Sequence, residues 1–184
     1  DQTGRGPGRV AFGDVATAPN RYTLTPEERQ WLDDQWNLID AKMKRVEDLT
    51  TQAHARGIPI RDIEKLPFGP GEHYWPRFTI DDGRLEVGGR IGKEQGVEKA
   101  RFFEDQTVGI QRGIDYISDP RQQLDLYLAS LDKRERDIAY QMRLKDLKIG
   151  REPASGLNPN EPNMGRIFSP QEQRLIRQQT GTAP

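Results

Sequence analysis

The sequence predicts a mainly α-helical protein with two long amphipathic helices, an intervening loop region that contains a small β-hairpin, and extended arms at both ends. Two stretches carry apolar residues at spacings of three and four, which places those residues on one helix face. Each stretch begins with a proline directly after a capping residue and is followed by a glycine. Between the two stretches, prolines and glycines are frequent and an Asp-Gly pair marks a turn.

Residues 1–24 are rich in glycine, proline, alanine and threonine and show little periodicity. Such a composition is typical of an extended or disordered arm, because too few apolar side chains are present to offset the entropy lost on ordering. We therefore expect an extended N-terminal arm whose apolar side chains dock on a neighbour. These side chains are Val10, Phe12 and Val15.

The first long helix is predicted over residues 26–56. Thr25 is a capping residue, Pro26 takes the first helical position, and Glu28 stands three residues after the cap, which is the spacing of a capping box. Gly57 then provides a left-handed stop. The apolar stripe of this helix consists of Leu32, Trp36, Ile39, Met43, Val46 and Ala53.

The stretch from residue 58 to residue 92 is predicted to be a loop region with a two-stranded hairpin. The strands are expected at Tyr74–Ile80 and Arg84–Val87. The first is rich in aromatic and β-branched residues, and the second alternates between charged and apolar residues. The Asp82-Gly83 pair between them favours a tight hairpin turn.

The second long helix is predicted over residues 120–149. It begins at Pro120, directly after the capping residue Asp119, and Gly150 closes it. Glu135 interrupts the apolar stripe, which indicates a polar contact or a register marker. The stripe consists of Leu124, Leu128, Leu131, Ile138 and Met142, and Tyr127 and Leu147 widen it.

Residues 151–184 are predicted to be a linker followed by a short C-terminal helix. The linker is rich in proline, asparagine and glycine. Ser169, Pro170 and Glu172 repeat the capping pattern and open a helix that extends to about Gln179. Its apolar content is low, so it needs a surface to lie on, because short helices are only marginally stable alone. We therefore divide the chain into an arm (1–24), a helical domain (25–150) and a C-terminal segment (151–184).

The composition excludes several classes of protein. The 184 residues include 28 Lys and Arg and 29 Asp and Glu, a net charge of −1, which argues against a strongly basic nucleic-acid-binding protein. The sequence has no cysteine, so disulfides, thiolate nucleophiles and cysteine-ligated metals are excluded. No apolar run approaches the roughly 18 residues that a membrane span requires.

No catalytic, cofactor-binding or metal-binding residue is predicted, and we expect no cofactor. His73 and Arg77 belong to the densest polar cluster, but a packed aromatic turn explains this cluster better than a general base does. The segment Gly88–Lys93 lacks the spacing and the Ser or Thr of a phosphate-binding loop. The chain begins with Asp1 rather than Met, so we expect a processed product or a segment of a longer polypeptide.

The apolar stripes indicate surfaces for binding other proteins. Only 33% of the residues are hydrophobic, and two stripes with few other apolar residues make a thin core, for which association compensates. The residues that we expect at such an interface are Trp36, Ile39, Met43, Trp75, Phe78, Leu124, Leu128 and Leu131.

A composite pattern spans residues 73–147. In order, it combines an aromatic-proline turn, an Arg-x-Phe stretch and a helix start of the form Gly-hydrophobic…Asp-Pro. The pattern reads His73-Tyr74-Trp75-Pro76-Arg77-Phe78, then Lys99-Ala100-Arg101-Phe102-Phe103-Glu104, then Gly113-Ile114, Ser118-Asp119-Pro120 and Leu124-Asp125-Leu126-Tyr127-Leu128. It resembles a region of very large bacteriophage proteins, namely virion-associated, internal or DNA-ejection polypeptides and large polyvalent proteins.

The resemblance implies a non-enzymatic helical spacer or assembly segment of a bacteriophage particle, located in the virion and assembled in the host cytoplasm. Its partners would be other virion proteins and copies of itself. One alternative is an internal virion (ejection) protein that contacts DNA; a second is a non-catalytic fragment of a larger phage enzyme. The DNA-contacting residues would be those of the N-terminal arm together with Lys133, Arg134, Arg136, Arg143 and Lys145.

Overall fold

The computed structural model of this protein describes residues 10–62, 70–80, 106–158 and 161–181. This part of the chain is mainly helical, which confirms the predicted class. It contains five α-helices, with short 3-10 helices at Pro19–Arg21 and Pro162–Gly165. The α-helices are α1 (Phe12–Thr17), α2 (Pro26–Ala55), α3 (Gln106–Gln111), α4 (Pro120–Asp146) and α5 (Pro170–Thr180).

The chain divides into two compact units. Unit 1 comprises Asp1–Ala41 and Glu64–Ala129, and unit 2 comprises Lys42–Ile63 and Ser130–Pro184. Each unit therefore combines two stretches that are distant in sequence, and α2 and α4 each contribute one part to each unit. These boundaries differ from the division at residues 24 and 150 that the sequence predicts.

The ends of α2 follow from local chemistry. At its start, the hydroxyl of Thr25 accepts the N–H of Glu28 at 3.2 Å, and the carboxylate of Glu28 accepts the N–H of Thr25 at 2.8 Å. This is the reciprocal capping box that the sequence indicates. At its end, Gly57 adopts a φ of 68° and donates its N–H to the carbonyl of His54.

The core of unit 1 is an aromatic cluster. Trp36 and Trp75 are buried at 4% and 0% exposure. Phe12 of α1 lies edge-on to two indoles, at 5.3 Å from Trp75 and 5.9 Å from Trp31 between ring centroids. Edge-to-face pairs of this kind add about 0.5–1.5 kcal/mol beyond the burial of their area. The cluster therefore fixes α1 against residues from two later stretches of the chain.

The prediction of an extended arm over residues 1–24 is wrong where the structure describes it. Residues 12–17 form α1, and Phe12 packs in the core of its own unit rather than on a neighbour. The glycine that suggested disorder permits a close approach, because a Cβ at Gly13 would overlap the side chain of Gln106. Residues 1–9 lie outside the described part of the chain.

The prediction of a strand over Tyr74–Ile80 is also wrong. The described residues form no strand there, only an isolated antiparallel bridge between Thr79 and Tyr116. The backbone hydrogen bonds on either side of this bridge join it to the segment after α3. In one of them, Ile117 donates its N–H to the carbonyl of Phe78. Proline at position 76 has no N–H to donate to a ladder, which disfavours a longer pairing. The second predicted strand, Arg84–Val87, lies outside the described residues, and so does the segment Gly88–Lys93.

The prediction of a linker over residues 151–168 is wrong, because this segment forms part of the core of unit 2. Leu157, Met164 and Phe168 are buried, and backbone bridges join Leu157 to Ile60 and Arg151 to Ile167. The other buried apolar residues of this core are Val46, Ala53, Ile58, Leu131, Ile138, Met142 and Leu144.

Replacing Leu131 by alanine tests the core of unit 2. Leu131 is fully buried, and Leu→Ala substitutions at such sites cost about 2–5 kcal/mol, because they lose apolar burial and leave a cavity. We expect Leu131→Ala to lower the free energy of unfolding by about this amount in urea denaturation. Leu147, which follows the end of α4, is 58% exposed and provides the control. Leu147→Ala should change the free energy of unfolding by no more than about 0.5 kcal/mol. Equal losses in the two variants would contradict this assignment of the core.

Candidate functional site

A buried ion pair lies at the centre of the polar contacts of unit 1. The guanidinium of Arg77 lies 3.0 Å from the carboxylate of Asp14, and the two side chains are only 4% and 6% exposed. The same guanidinium also donates to the hydroxyl of Thr17 at 3.2 Å. A charged pair withdrawn from water in this way is stable only when further hydrogen bonds satisfy its remaining polar atoms.

The remaining bonds of Asp14 join α1 to α3. Its two carboxylate oxygens accept the N–H groups of Gln106 and Thr107, at 2.6 and 2.8 Å. In return, the side chains of Gln106 and Thr107 accept the N–H groups of Gly13 and Ala11, at 3.0 and 2.9 Å. Each helix therefore satisfies the unpaired N–H groups at the start of the other, which are the groups that a six-residue helix cannot satisfy itself.

A second buried contact fixes the indole of Trp75. Its Nε1 donates to the side-chain carbonyl of Gln123 at 3.0 Å, and the amide nitrogen of Gln123 donates to the carbonyl of Ile117. Gln123 is 2% exposed, so these bonds replace the water that its amide would otherwise bind. The contact positions Trp75 in the aromatic core and gives α4 a polar attachment to it.

Among the described residues, His73 and Arg77 of the predicted cluster make structural contacts. The imidazole of His73 stacks on the indole of Trp36, with ring centroids 3.9 Å apart and planes 12° from parallel. Arg77 is bound to Asp14 instead, and Asp81 and Asp82 lie outside the described residues. The preferred interpretation of the sequence, a packed aromatic turn, agrees with these contacts.

Unit 2 has its own buried polar network, centred on Arg166. Its Nε donates to the side-chain carbonyl of Gln141 at 2.9 Å, and its Nη2 donates to the carboxylate of Glu152 at 2.9 Å. The amide nitrogen of Gln141 donates to the backbone carbonyl of Asn163 at 2.8 Å. Gln141 is fully buried, so this network connects α4 to the segment that precedes α5.

The network supports a left-handed turn. Asn163 and Met164 adopt φ values of 51° and 55°, and Gly165 continues the turn at 75°. A left-handed conformation costs a non-glycine residue about 1–2 kcal/mol. Burial of the Met164 side chain, which is 1% exposed, and the hydrogen bond from Gln141 to Asn163 offset this cost.

The residues predicted at an interface lie mostly in the interior of this chain. Five are buried within their own unit, and the other three are partly exposed. The buried ones are Trp36, Ile39, Trp75, Leu124 and Leu131, and the partly exposed ones are Met43, Phe78 and Leu128. Of these, the structure brings Trp36 and Trp75 together in one cluster. A surface that binds partners must therefore involve residues other than the five buried ones.

The predicted basic face over residues 133–145 is partly occupied by the chain itself. Arg134 is buried and donates to the carbonyl of Arg61, while Lys133 pairs with Asp137 on the same helix. Lys145 donates to the carbonyl of Gly57 and lies 3.6 Å from Glu152. Of the five predicted cations, only Arg136 and Arg143 are exposed without an ion pair among the described residues.

The interruption of the α4 stripe at Glu135 has a structural reason. The carboxylate of Glu135 lies 2.7 Å from the guanidinium of Arg45 on α2. One turn earlier on α4, Asp132 pairs with Lys42 of α2. These contacts fix the register between the parts of α2 and α4 that belong to unit 2, as the interruption suggested.

An exposed region lies between the end of α4 and α5, and it is the part of the surface that sequence reasoning missed. Three of its large apolar side chains are exposed, Leu147 at 58%, Leu175 at 57% and Ile167 at 42%. We call this region the α4–α5 junction. Leu147 only widens the predicted stripe of the second long helix, and Leu175 belongs to a short helix of low apolar content, so the sequence carried little signal for this region.

The junction is fixed by a second capping box. The carboxylate of Glu172 accepts the N–H groups of Ser169 and Gly150, both at 2.7 Å, and the hydroxyl of Ser169 accepts the N–H of Glu172. The bond to the Gly150 N–H, followed by the bonds to the backbone and hydroxyl of Ser169, lowers the pKa of Glu172 below its usual value of 4.5. Glu172 thus attaches the start of α5 to the end of α4.

Among the residues that the structure describes, no group of three or more His, Asp or Glu side chains is placed to hold a metal ion. None of the described helices is both long enough and apolar enough to cross a membrane. Protein-family models, curated proteins and solved structures were each compared with this chain, and none matches it. The resemblance to large bacteriophage proteins therefore stays a prediction.

Replacing Asp14 by alanine tests the contact between α1 and α3. The change leaves the buried guanidinium of Arg77 without its carboxylate, and breaking a buried pair in this way costs about 3–5 kcal/mol. We expect Asp14→Ala to lower the free energy of unfolding by about this amount. The exposed pair between Arg21 and Glu72 provides the control, because Arg21→Ala should cost at most about 1 kcal/mol. If Asp14→Ala proves as mild as Arg21→Ala, the buried pair is not a structural requirement.

The capping box of α5 predicts a pH dependence. Because the pKa of Glu172 is lowered in the folded state, its contribution to stability is fully present above pH 4.5 and is lost as the pH falls through the lowered pKa. We expect the difference in Tm between the unmodified chain and Glu172→Gln to be greatest above pH 4.5 and to vanish in acid. If the difference in Tm between the two chains is the same above pH 4.5 as in acid, the charge of Glu172 does not have the proposed role.

Proposed function

We propose that this chain is a non-enzymatic structural and assembly segment of a bacteriophage particle, which binds neighbouring virion proteins and copies of itself. One observation carries the proposal: the buried polar groups of the described residues are used to hold the fold, and large apolar groups are left on the surface. All seven buried polar or charged residues make hydrogen bonds within the chain. They are Asp14, Thr50, Gln106, Gln123, Arg134, Gln141 and Arg166.

The exposed apolar side chains supply the surface that such a segment needs. Single exposed hydrophobic residues are ordinary on a protein surface. In the α4–α5 junction, Leu147, Ile167 and Leu175 are exposed on segments that are joined to one another, because Glu172 binds the Gly150 N–H and Arg151 forms a bridge with Ile167. Grouped apolar side chains with a polar surround are typical of protein-binding surfaces.

A second candidate function, contact with DNA as an internal virion protein, is favoured by the charge of unit 2. This unit contains 15 Lys and Arg against 10 Asp and Glu, so it is basic although the whole chain is nearly neutral. The structure weighs against the particular face that the sequence suggested, because Arg134 and Lys145 bind backbone carbonyls of the chain itself.

The second alternative, a fragment of a larger enzyme, has the weakest support. In this chain its candidate residues for a site completed elsewhere are His73 and Arg77, and these side chains make structural contacts with Trp36 and Asp14. The ion pair with Asp14 gives the guanidinium of Arg77 a structural role, and the stacking on Trp36 gives one to the ring of His73. We therefore assign no catalytic residue to this chain.

Cross-linking of intact particles tests the assembly proposal. Lys44 and Lys148 are exposed, so an amine-reactive cross-linker should join them to other virion proteins or to further copies of this chain. The cross-linked peptides are identified by mass spectrometry of purified particles. Peptides of this chain that are present in infected cells and absent from purified particles would overturn the proposal. A Lys148→Arg chain serves as the control for the Lys148 links, because a guanidinium keeps the positive charge but does not react with an amine-reactive cross-linker.

A further inference from the structure

The near-neutral net charge of this chain conceals two oppositely charged units. Unit 1 contains 13 Lys and Arg against 19 Asp and Glu, whereas unit 2 contains 15 against 10. The units therefore differ in sign, with formal charges of −6 and +5. Opposite charges on two surfaces of one kind of molecule favour contacts between copies, because each copy presents both halves of a complementary pair.

The positive charge of unit 2 is concentrated at the α4–α5 junction. Five exposed cations lie on the same segments as its apolar side chains, namely the end of α4, the loop that follows it and α5. None of the five forms an ion pair with a carboxylate among the described residues. They are Arg143, Lys148, Arg151, Arg174 and Arg177.

The carboxylates of the same region are already occupied. Asp146 pairs with Arg56 at 2.8 Å, and Glu152 pairs with Arg166 at 2.9 Å. Glu172 accepts the backbone N–H groups of Gly150 and Ser169. Since these acids are bound within the chain, the cations of the junction remain for an acidic partner.

Unit 1 carries a surface of the complementary kind on α2. Glu27, Asp34 and Leu38 are exposed, and their spacings of seven and four place them within about 40° of one another around the helix. Leu38 is 40% exposed, so this stripe combines two carboxylates with one large apolar side chain. We call it the acidic stripe. Its carboxylates are complementary in charge to the cations of the junction, and Leu38 can pack against the exposed apolar side chains of the junction.

We infer that the α4–α5 junction of one copy of this chain binds the acidic stripe of a second copy. The inference rests on the proposed assembly function and names one of its partners. The exposed Leu147, Ile167 and Leu175 favour a protein over DNA, because a phosphate backbone offers nothing for these side chains to pack against. The acidic stripe offers both the carboxylates and, in Leu38, an apolar contact.

The contact is heterologous, since it joins two different surfaces. Each copy that binds through its junction still has its acidic stripe free for another copy. Heterologous contacts of this kind form rings when the rotation closes and open filaments when it does not. Assemblies larger than a dimer should therefore be present at high protein concentration.

Sedimentation velocity of the full chain tests this contact. At about 0.01 M salt the Debye length is about 30 Å, and it falls to about 8 Å at 0.15 M, so association should weaken by on the order of tenfold between the two conditions. A chain that remains monomeric at low salt, or an association that does not respond to salt, would overturn the inference.

Charge reversal locates the two surfaces. The junction variant carries Arg143→Glu, Lys148→Glu and Arg151→Glu, and we expect it to be monomeric. The stripe variant carries Glu27→Lys and Asp34→Lys and should also be monomeric. Mixing the two variants should restore association, because the reversed junction of one then faces the reversed stripe of the other.

A matched control separates this contact from a general effect of charge. The control variant reverses three exposed cations of unit 2 that lie outside the junction, Lys44, Arg61 and Arg136, each to Glu. We expect it to associate as the unmodified chain does. Equal loss of association in the control and junction variants, or no association on mixing the reversed variants, would contradict the proposed pairing. Far-UV circular dichroism checks folding, and the salt dependence of the unmodified chain tests the inference even where a variant fails to fold.

Two further outcomes distinguish the hypotheses. Salt-dependent binding of duplex DNA by the junction, without self-association, would overturn the inference and favour the internal virion protein that contacts DNA. Cross-links in the particle to other virion proteins alone, with a monomeric chain in solution, would overturn the inference while leaving the assembly function in place.

Discussion

Buried polar side chains hold together segments that lie far apart in the sequence. In unit 1 the carboxylate of Asp14 binds the first turn of α3, 92 residues further along the chain. In unit 2 the guanidinium of Arg166 binds Gln141 and Glu152, which closes the segment before α5 onto α4. Only 33% of the residues are hydrophobic, so apolar burial leaves each core small. Because of this, the aromatic cluster, the short helices and the left-handed turn all depend on polar contacts for their positions.

This use of polar groups determines what the surface can do. The buried Asp, Arg and Gln side chains form their hydrogen bonds within the chain, and the surface retains charges of opposite sign on the two units and a few exposed apolar residues. A protein organised in this way is suited to binding through shape and charge. The proposed role in assembly and the proposed pairing between copies both follow from that distribution, and neither requires a reactive group.

Local signals in the sequence predicted the local features of the fold. The capping residues Thr25 and Ser169 and their Glu partners three residues later are visible in the sequence, since a capping box involves only four consecutive residues. The arm and the C-terminal segment were mistaken for extended chain because the residues that order them are distant. Nothing near Asp14 indicates that its partners are Arg77 and Gln106. For the same reason the interruption at Glu135 was visible, but its partner on α2 was not.

The reciprocal contact between α1 and α3 also constrains the order in which unit 1 can form. At about 5–20 residues per second, a ribosome needs roughly 5–20 s to add the residues between Asp14 and Gln106. During that interval α1 lacks its caps, and until Trp75 has been made it also lacks that indole, while six residues cannot remain helical alone. Phe12 is therefore open to solvent and to other nascent chains until the second half of unit 1 has been made. The contact between α1 and α3 thus forms only late in the synthesis of unit 1.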